Sequence, residues 1–182
     1  GTGRVGERLG AMATVKLAQA TIVERKDFTD EHWVIKLQPD VPYNFKAGQY
    51  CTIGSRGIER PYSIVSAPDE PLLELFIELI QPPEGVLTPL LFDLQPGSTV
   101  TLRPRPKGIF LLDEKYKNHV MVSTVTGVCP YVSMLRQYVG QGRDGGHRFF
   151  LLDGGVTMMN WFTELRWMIC PSDMISYTMC RL

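Results

Sequence analysis

The period of the apolar residues changes once along this chain, near Leu112, and that change limits the possible folds. From Ala13 to about Leu112 six short runs are strand-like: ATVKLAQATIVERK, HWVIKLQP, GQYCTIGS, RPYSIVSAP, LLELFIELI and STVTLRPRP. Gly, Pro, Asn and Asp separate them, and several alternate apolar with polar as half-buried strands do. Six such runs predict a six-stranded antiparallel barrel, because closure removes exposed edges. One segment breaks the period. LTPLLFDLQPG predicts a short helix with Leu90, Leu91 and Leu94 on one face.

Past the charged stretch LDEKYKN the pattern alternates between strand and helix. HVMVSTV, HRFFLLDGG and DMISYTM are strand candidates. PYVSMLRQYVG and NWFTELRWMIC have helical spacing, the first with Pro130 in its opening turn, the second with Trp161, Leu165 and Met168 in phase. Alternation of this kind implies a parallel sheet. The predicted boundaries are a flexible leader 1–12, a barrel domain 13–114, a linker 115–118 and a short α/β domain 119–182. Only three strands occupy that last part, so it reads as a partial Rossmann-like sheet.

Charge and cysteines narrow the function classes. Nineteen basic and nineteen acidic residues cancel, which argues against nucleic acid as the main partner. No apolar run is long enough for a membrane span, and the first dozen residues lack a signal-peptide core. A cytoplasmic protein is the expectation. Cys51, Cys129, Cys170 and Cys180 form no CxxC pair, so no metal site is predicted and reduced thiols are expected.

The stretch RPYSIVSAP, Arg60 to Pro68, carries the chemistry. On an extended strand Arg60 and Tyr62 share one face and Ser63 takes the other. A guanidinium fork suits a phosphate, an aromatic ring stacks on a planar ligand, and a hydroxyl donates to a ring nitrogen. A flat heterocycle carrying a pyrophosphate would use all three. The alternative is an edge-strand arginine in solvent, a core tyrosine and a turn serine.

RPYSIVSAP is similar to the RxYS flavin-binding motif of the ferredoxin/flavodoxin–NADP(+) reductase family. Further motifs agree in order. LELFIEL resembles the next strand of the flavin site, and EGVLTPLL the Gly-x-Leu-Thr turn that opens a short helix. PKGIFLL resembles the strand closing the barrel, and STVTGVCPYVSMLR the glycine-rich nucleotide loop usually written GTGxAPxxSM. HRFFLLDGG and ISYTMCRL resemble the following strands of the nucleotide domain. The resemblance implies a Greek-key flavin-binding barrel followed by a partial NAD(P)-binding sheet, in a chain truncated at its C-terminus.

Roles follow from the resemblance. Arg60, with Pro61, would hold the phosphates of FAD. Tyr62 would pack on the isoalloxazine and Ser63 would hydrogen-bond near N5; these two are the catalytic candidates. Phe76, Ile77, Glu78 and Leu79 would line the ribityl and adenosine side. Val86 and Leu87 would offer backbone N–H groups, and Thr88 its hydroxyl, to the pyrophosphate. Thr88 has an alternative reading as the N-cap before Pro89. Thr126 and Gly127 would lie at the junction of flavin and nicotinamide, and Arg181 near the 2′-phosphate of NADPH.

Two departures stand out. Val125 replaces the usual first glycine of the loop, and Cys129 the usual alanine. Valine disfavours positive φ, so the loop either keeps an extended residue there or deforms. Cys129 reads as redox-active or as a small buried hydrophobe. Asp153 brings negative charge to the nucleotide side and Val156 no cation, so poor binding of pyridine nucleotide beside a retained flavin site is expected.

The implied activity is that of a ferredoxin–NADP(+) reductase. NADPH (or NADH) would give hydride to flavin N5, and electrons would pass singly to ferredoxin or flavodoxin. Two alternatives remain: a reductase component of an oxygenase or hydrogenase complex, and a flavin-binding module without turnover. Arg103, Arg105, Lys107, Lys115 and Lys117 read either as a docking patch for an acidic carrier or as a solvated face.

Overall fold

The structure, a computed structural model, describes residues 17–143, 146–154 and 175–179. The predicted leader, the predicted helix NWFTELRWMIC, Cys170, Cys180 and Arg181 lie outside the described residues.

Six antiparallel strands follow the six predicted runs. They are β1 (Ala18–Asp27), β2 (His32–Pro39), β3 (Tyr50–Ser55), β4 (Ile58–Ser63), β5 (Leu73–Glu78) and β6 (Thr99–Leu102). Their order is β4-β3-β6-β1-β2-β5. Because β6 inserts between β3 and β1, the connectivity is of the Greek-key type. A bridge between Ile64, just past β4, and Leu75 in β5 brings the two outer strands together. That contact nearly closes the barrel and spares both edges from solvent. Inside lie Ile22, Trp33, Ile35, Leu37, Ile53, Leu75, Ile77, Val100 and Leu102, all almost fully buried.

The short helix α1 (Thr88–Phe92) crosses one end of this core and buries Leu91, whereas Leu90 and Leu94 remain half-buried. One helical turn is marginal by itself, and tertiary contacts hold both of its ends. Arg25 donates to the carbonyls of Phe92 at 2.5 Å and Leu94 at 2.8 Å, a cation meeting the orphan carbonyls of a helix C-terminus. The same guanidinium lies over the rings of Trp33 and Phe92.

The second unit is a parallel sheet in the order β7-β8-β9, from β7 (Asn118–Ser123), β8 (Arg148–Asp153) and β9 (Ile175–Met179). Helix α2 (Cys129–Gly140) connects the first two strands, and Pro130 stands in its first turn. Met121, Phe149 and Leu151 from the sheet pack with Val132, Leu135 and Tyr138 from α2. Val34, Ala47, Val65 and Phe76 of the barrel belong to that same apolar cluster. The two units therefore share a core and do not float on the 115–118 segment. Among the described residues no helix is long and apolar enough to cross a membrane.

Candidate functional site

Strand β4 carries the sequence IERPYS and ends at Ser63. It runs along an open cavity of about 450 Å³ between barrel and α/β unit. Arg60, Pro61, Tyr62 and Ser63 all line it. Strict alternation would send Ser63 to the other face, but the cavity wraps around the end of the strand and takes in both. β5 adds Phe76 and Glu78, with Ile80 just beyond; α1 adds Thr88; the segment after β7 adds Thr126 and Cys129.

Each wall has a physical cause. Tyr62 packs against the barrel core and also lines the cavity. Burial pushes its phenol up to about 12, an effect that the Arg60 charge only partly offsets. Tyr62 therefore stays neutral across the physiological range and serves as a ring and a donor, not as a base. Arg60 is exposed and donates one bond, at 2.7 Å, to its neighbour's carbonyl on Glu59, leaving further donors of its fork for a ligand. Phe76 is backed by His32, whose ring is stacked 5.7 Å away. His32 Nε2 lies 3.8 Å from the Glu78 carboxylate.

Period 2 sorts the β5 residues. Phe76, Glu78 and Ile80 face the cavity. Ile77 is fully buried in the barrel core and Leu79 packs against it. Ile77 and Leu79 therefore place no side chain on this cavity, whereas Ile80, outside the expected set, does. The alternation visible in LELFIELI is the signal that separates the two groups.

In the turn before α1, Val86 is exposed and Leu87 is buried in the barrel core, and neither side chain lines the cavity; the role expected of both is a backbone one. Thr88 is not the N-cap; Leu87 holds that position and makes no side-chain cap. The Thr88 hydroxyl clasps Ile80 instead, accepting from its N–H at 3.0 Å and donating to its carbonyl at 3.1 Å. Gly85 makes this loop possible, since a Cβ there would collide with the Ile80 carbonyl.

The loop after β7 deforms at the departure noted above. Val125 takes φ +45° and opens a short 3₁₀ turn, Val125–Val128. A β-branched residue in that region is strained, at a cost on the order of 1–3 kcal/mol. Gly127 needs no special φ, and a Cβ there would meet only Ser123 Cβ, at 3.6 Å. Thr126 lines the cavity and Gly127, exposed beside it, does not.

Cys129 is buried, and that burial pushes its thiol far above the ordinary range. The hydrophobe reading therefore stands over the redox-active one. Asp153 is buried at the end of β8 and accepts from the Ser123 hydroxyl at 2.8 Å. It closes the strand ends of the parallel sheet, where open α/β folds receive ligands. Three members of the expected basic patch are engaged within the protein, two of them by carboxylates. Arg103 forks onto Glu59 at 2.5–3.2 Å, Lys115 lies 3.7 Å from Asp113, and Lys117 reaches His147 Nε2 at 3.1 Å.

A six-stranded barrel joined to a parallel sheet, with a cavity at the seam, is the arrangement this chain shares with solved ferredoxin–NADP(+) reductases. No family model matches the chain. The chain is nevertheless related in sequence and fold to ferredoxin/flavodoxin–NADP(+) reductases. A flavodoxin/ferredoxin–NADP reductase of Escherichia coli is 37% identical over 98 residues, 50% of this chain and 39% of that protein. A ferredoxin–NADP(+) reductase from Neisseria gonorrhoeae, solved with bound FAD and NADP, superposes with a TM-score of 0.76 at 27% identity, covering 90% of this chain and 68% of that one. Methane monooxygenase component C of Methylosinus trichosporium is 33% identical over 107 residues, 57% of this chain and 31% of its own. The chain spans well under two-thirds of the curated relatives it matches.

Proposed function

We propose that this chain is the flavin-binding portion of a ferredoxin–NADP(+) reductase-type enzyme. The cavity at the seam would hold FAD, and the α/β unit would admit NADPH or NADH. One observation carries the reading: Arg60, Tyr62, Ser63, Phe76, Glu78, Thr88 and Thr126, distant in sequence, line a single cavity. The residues suit the group. A cation with spare donors, a neutral phenol ring, a small hydroxyl and a phenylalanine fit a planar dinucleotide with a pyrophosphate.

FAD, when bound, supplies the chemistry of accepting a hydride and releasing electrons one at a time. The protein supplies placement. Tyr62 and Phe76 border the cavity with aromatic rings that suit a planar ligand. Ser63, at the open end of β4, holds a hydroxyl where it can donate to a ring nitrogen. Arg60 neutralises phosphate charge. Gly127 leaves room beside the cavity, because nothing within the protein crowds that position. Val86, Leu87 and Thr88 contribute through the path of the backbone they fix, and Arg181 would belong to the nucleotide side. The electron acceptor in this reading is ferredoxin or flavodoxin.

The methane monooxygenase component favours a second reading, in which the same modules serve as the reductase of an oxygenase. A third, a flavin-binding module without turnover, is separated by one assay. The FAD-loaded chain is mixed with NADPH, then NADH, and with an artificial electron acceptor. The reductase readings predict flavin bleaching and acceptor reduction. A flavin that stays oxidised in millimolar nucleotide overturns them and leaves the binding module.

A further inference from the structure

Helix α2 is tied to the barrel by a buried polar clamp. Arg136 forks onto Glu74 of β5, with its two terminal nitrogens 2.9 Å and 3.2 Å from the carboxylate oxygens. Both side chains are buried, 7% and 6% exposed. Glu70 stands 3.4 Å from the same guanidinium. One turn earlier on α2, Ser133 donates at 2.7 Å to the Ser66 carbonyl, and the Ser66 hydroxyl accepts from the Glu74 N–H at 3.0 Å. Ser66 and Ser133 are completely buried.

The placement of these ties connects them to the cavity. Ser66 lies three residues beyond Ser63, on the segment that also supplies Arg60 and Tyr62. Ser133 lies four residues, about one helical turn, beyond Cys129. Both cavity walls thus join the clamp through short, packed stretches of backbone. Apolar contacts between Val65, Phe76, Val132 and Leu135 resist separation of the units but are non-directional. A bidentate guanidinium–carboxylate pair has a fixed plane and direction. Buried, it also penalises any arrangement that leaves one charge without its partner.

We propose that Arg136 and Glu74 are positioning residues. Their pair sets the angle of α2 on the barrel, and so the distance between the Thr126–Cys129 wall and the Tyr62–Ser63 wall. Its kinetic consequence rests on the flavin-reductase reading; the geometric claim does not. The clamp touches no reacting group. It acts through the helix whose first turn borders the cavity.

The test replaces the pair by apolar side chains, R136M/E74M, because a single substitution would strand a buried charge and could unfold the protein. Spin labels attached through unnatural azido side chains at the exposed positions 56 and 141 report the barrel-to-α2 distance by pulsed electron resonance, with no ligand present. The expected result is a melting temperature close to that of the parent and a distance distribution at least about twofold broader. An unchanged distribution overturns the proposal. In the FAD-loaded proteins, the double variant should keep flavin affinity within about threefold while reduction by millimolar NADPH or NADH slows at least tenfold, the scale expected of a misplacement near 1 Å. An unchanged reduction rate removes the positioning role. Failure of the parent to take up FAD would overturn the flavin reading alone, since the label distances still decide the clamp.

Discussion

Gly127 is the residue whose identity says most about what approaches from outside. Its backbone conformation suits any amino acid, and an added Cβ meets only Ser123 at ordinary contact distance. G127A should therefore change stability by no more than about 0.5 kcal/mol in chemical denaturation, as for an unremarkable surface site. If the position is kept open for a nicotinamide ring, the same variant should slow flavin reduction roughly tenfold or more in stopped flow. Equal rates in parent and variant would show that the glycine serves no ligand. Val125, two residues earlier, is the opposite case. It holds positive φ without being glycine, so the strand-to-helix loop keeps its bend despite the side chain. The sequence offered both an extended residue and a deformed loop there, and the choice depended on the packing of the 3₁₀ turn and α2 beneath it, which no local rule contains.

At the scale of elements, β7 carries a pH dependence. His119 stacks on Phe149 at 4.9 Å and lies 5.4 Å from the ring of His147. Burial, and secondarily the neighbouring His147, holds its imidazole below the ordinary histidine range. The unfolded chain therefore takes up a proton near pH 6.5 that the folded chain refuses. Stability should fall as pH drops through about 6.5 and below, and H119Q should flatten that limb of a urea-midpoint-against-pH curve. A parent and variant with parallel curves would contradict this. The strands themselves were legible from period and turn residues, as LELFIELI and HRFFLLDGG illustrate. What the sequence did not disclose were contacts made across elements. The Thr88–Ile80 clasp looked like a cap because Thr before Pro is a common helix start. The Arg136–Glu74 pair joins residues 62 positions apart, and each looks alone like an ordinary surface charge. Ile80 joins the cavity wall by the same alternation that places Phe76 and Glu78 there.

Across the whole molecule, barrel and α/β unit share an apolar cluster that includes Val65 and Phe76 on one side and Val132 and Leu135 on the other. Exposing these four would cost on the order of 1.5–3 kcal/mol each, comparable in sum with the total stability of a domain, about 5–15 kcal/mol. Unfolding should accordingly be a single transition: in a W161F/W167F variant, which keeps Trp33 as its one tryptophan, barrel fluorescence and far-ultraviolet dichroism should give coincident curves. Two separated midpoints would mean that the units are independent. The cavity lies at the seam those residues close, so the same packing that joins the units also builds the site. Its occupancy by a flavin is the claim on which the functional account turns. Titrating the purified chain with FAD and following visible absorbance together with flavin fluorescence tests it most directly. The account predicts a one-to-one yellow complex with a dissociation constant in the micromolar range or below, weakened at least tenfold when Tyr62 and Arg60 are replaced by alanine. A chain that stays colourless in excess FAD would contradict it.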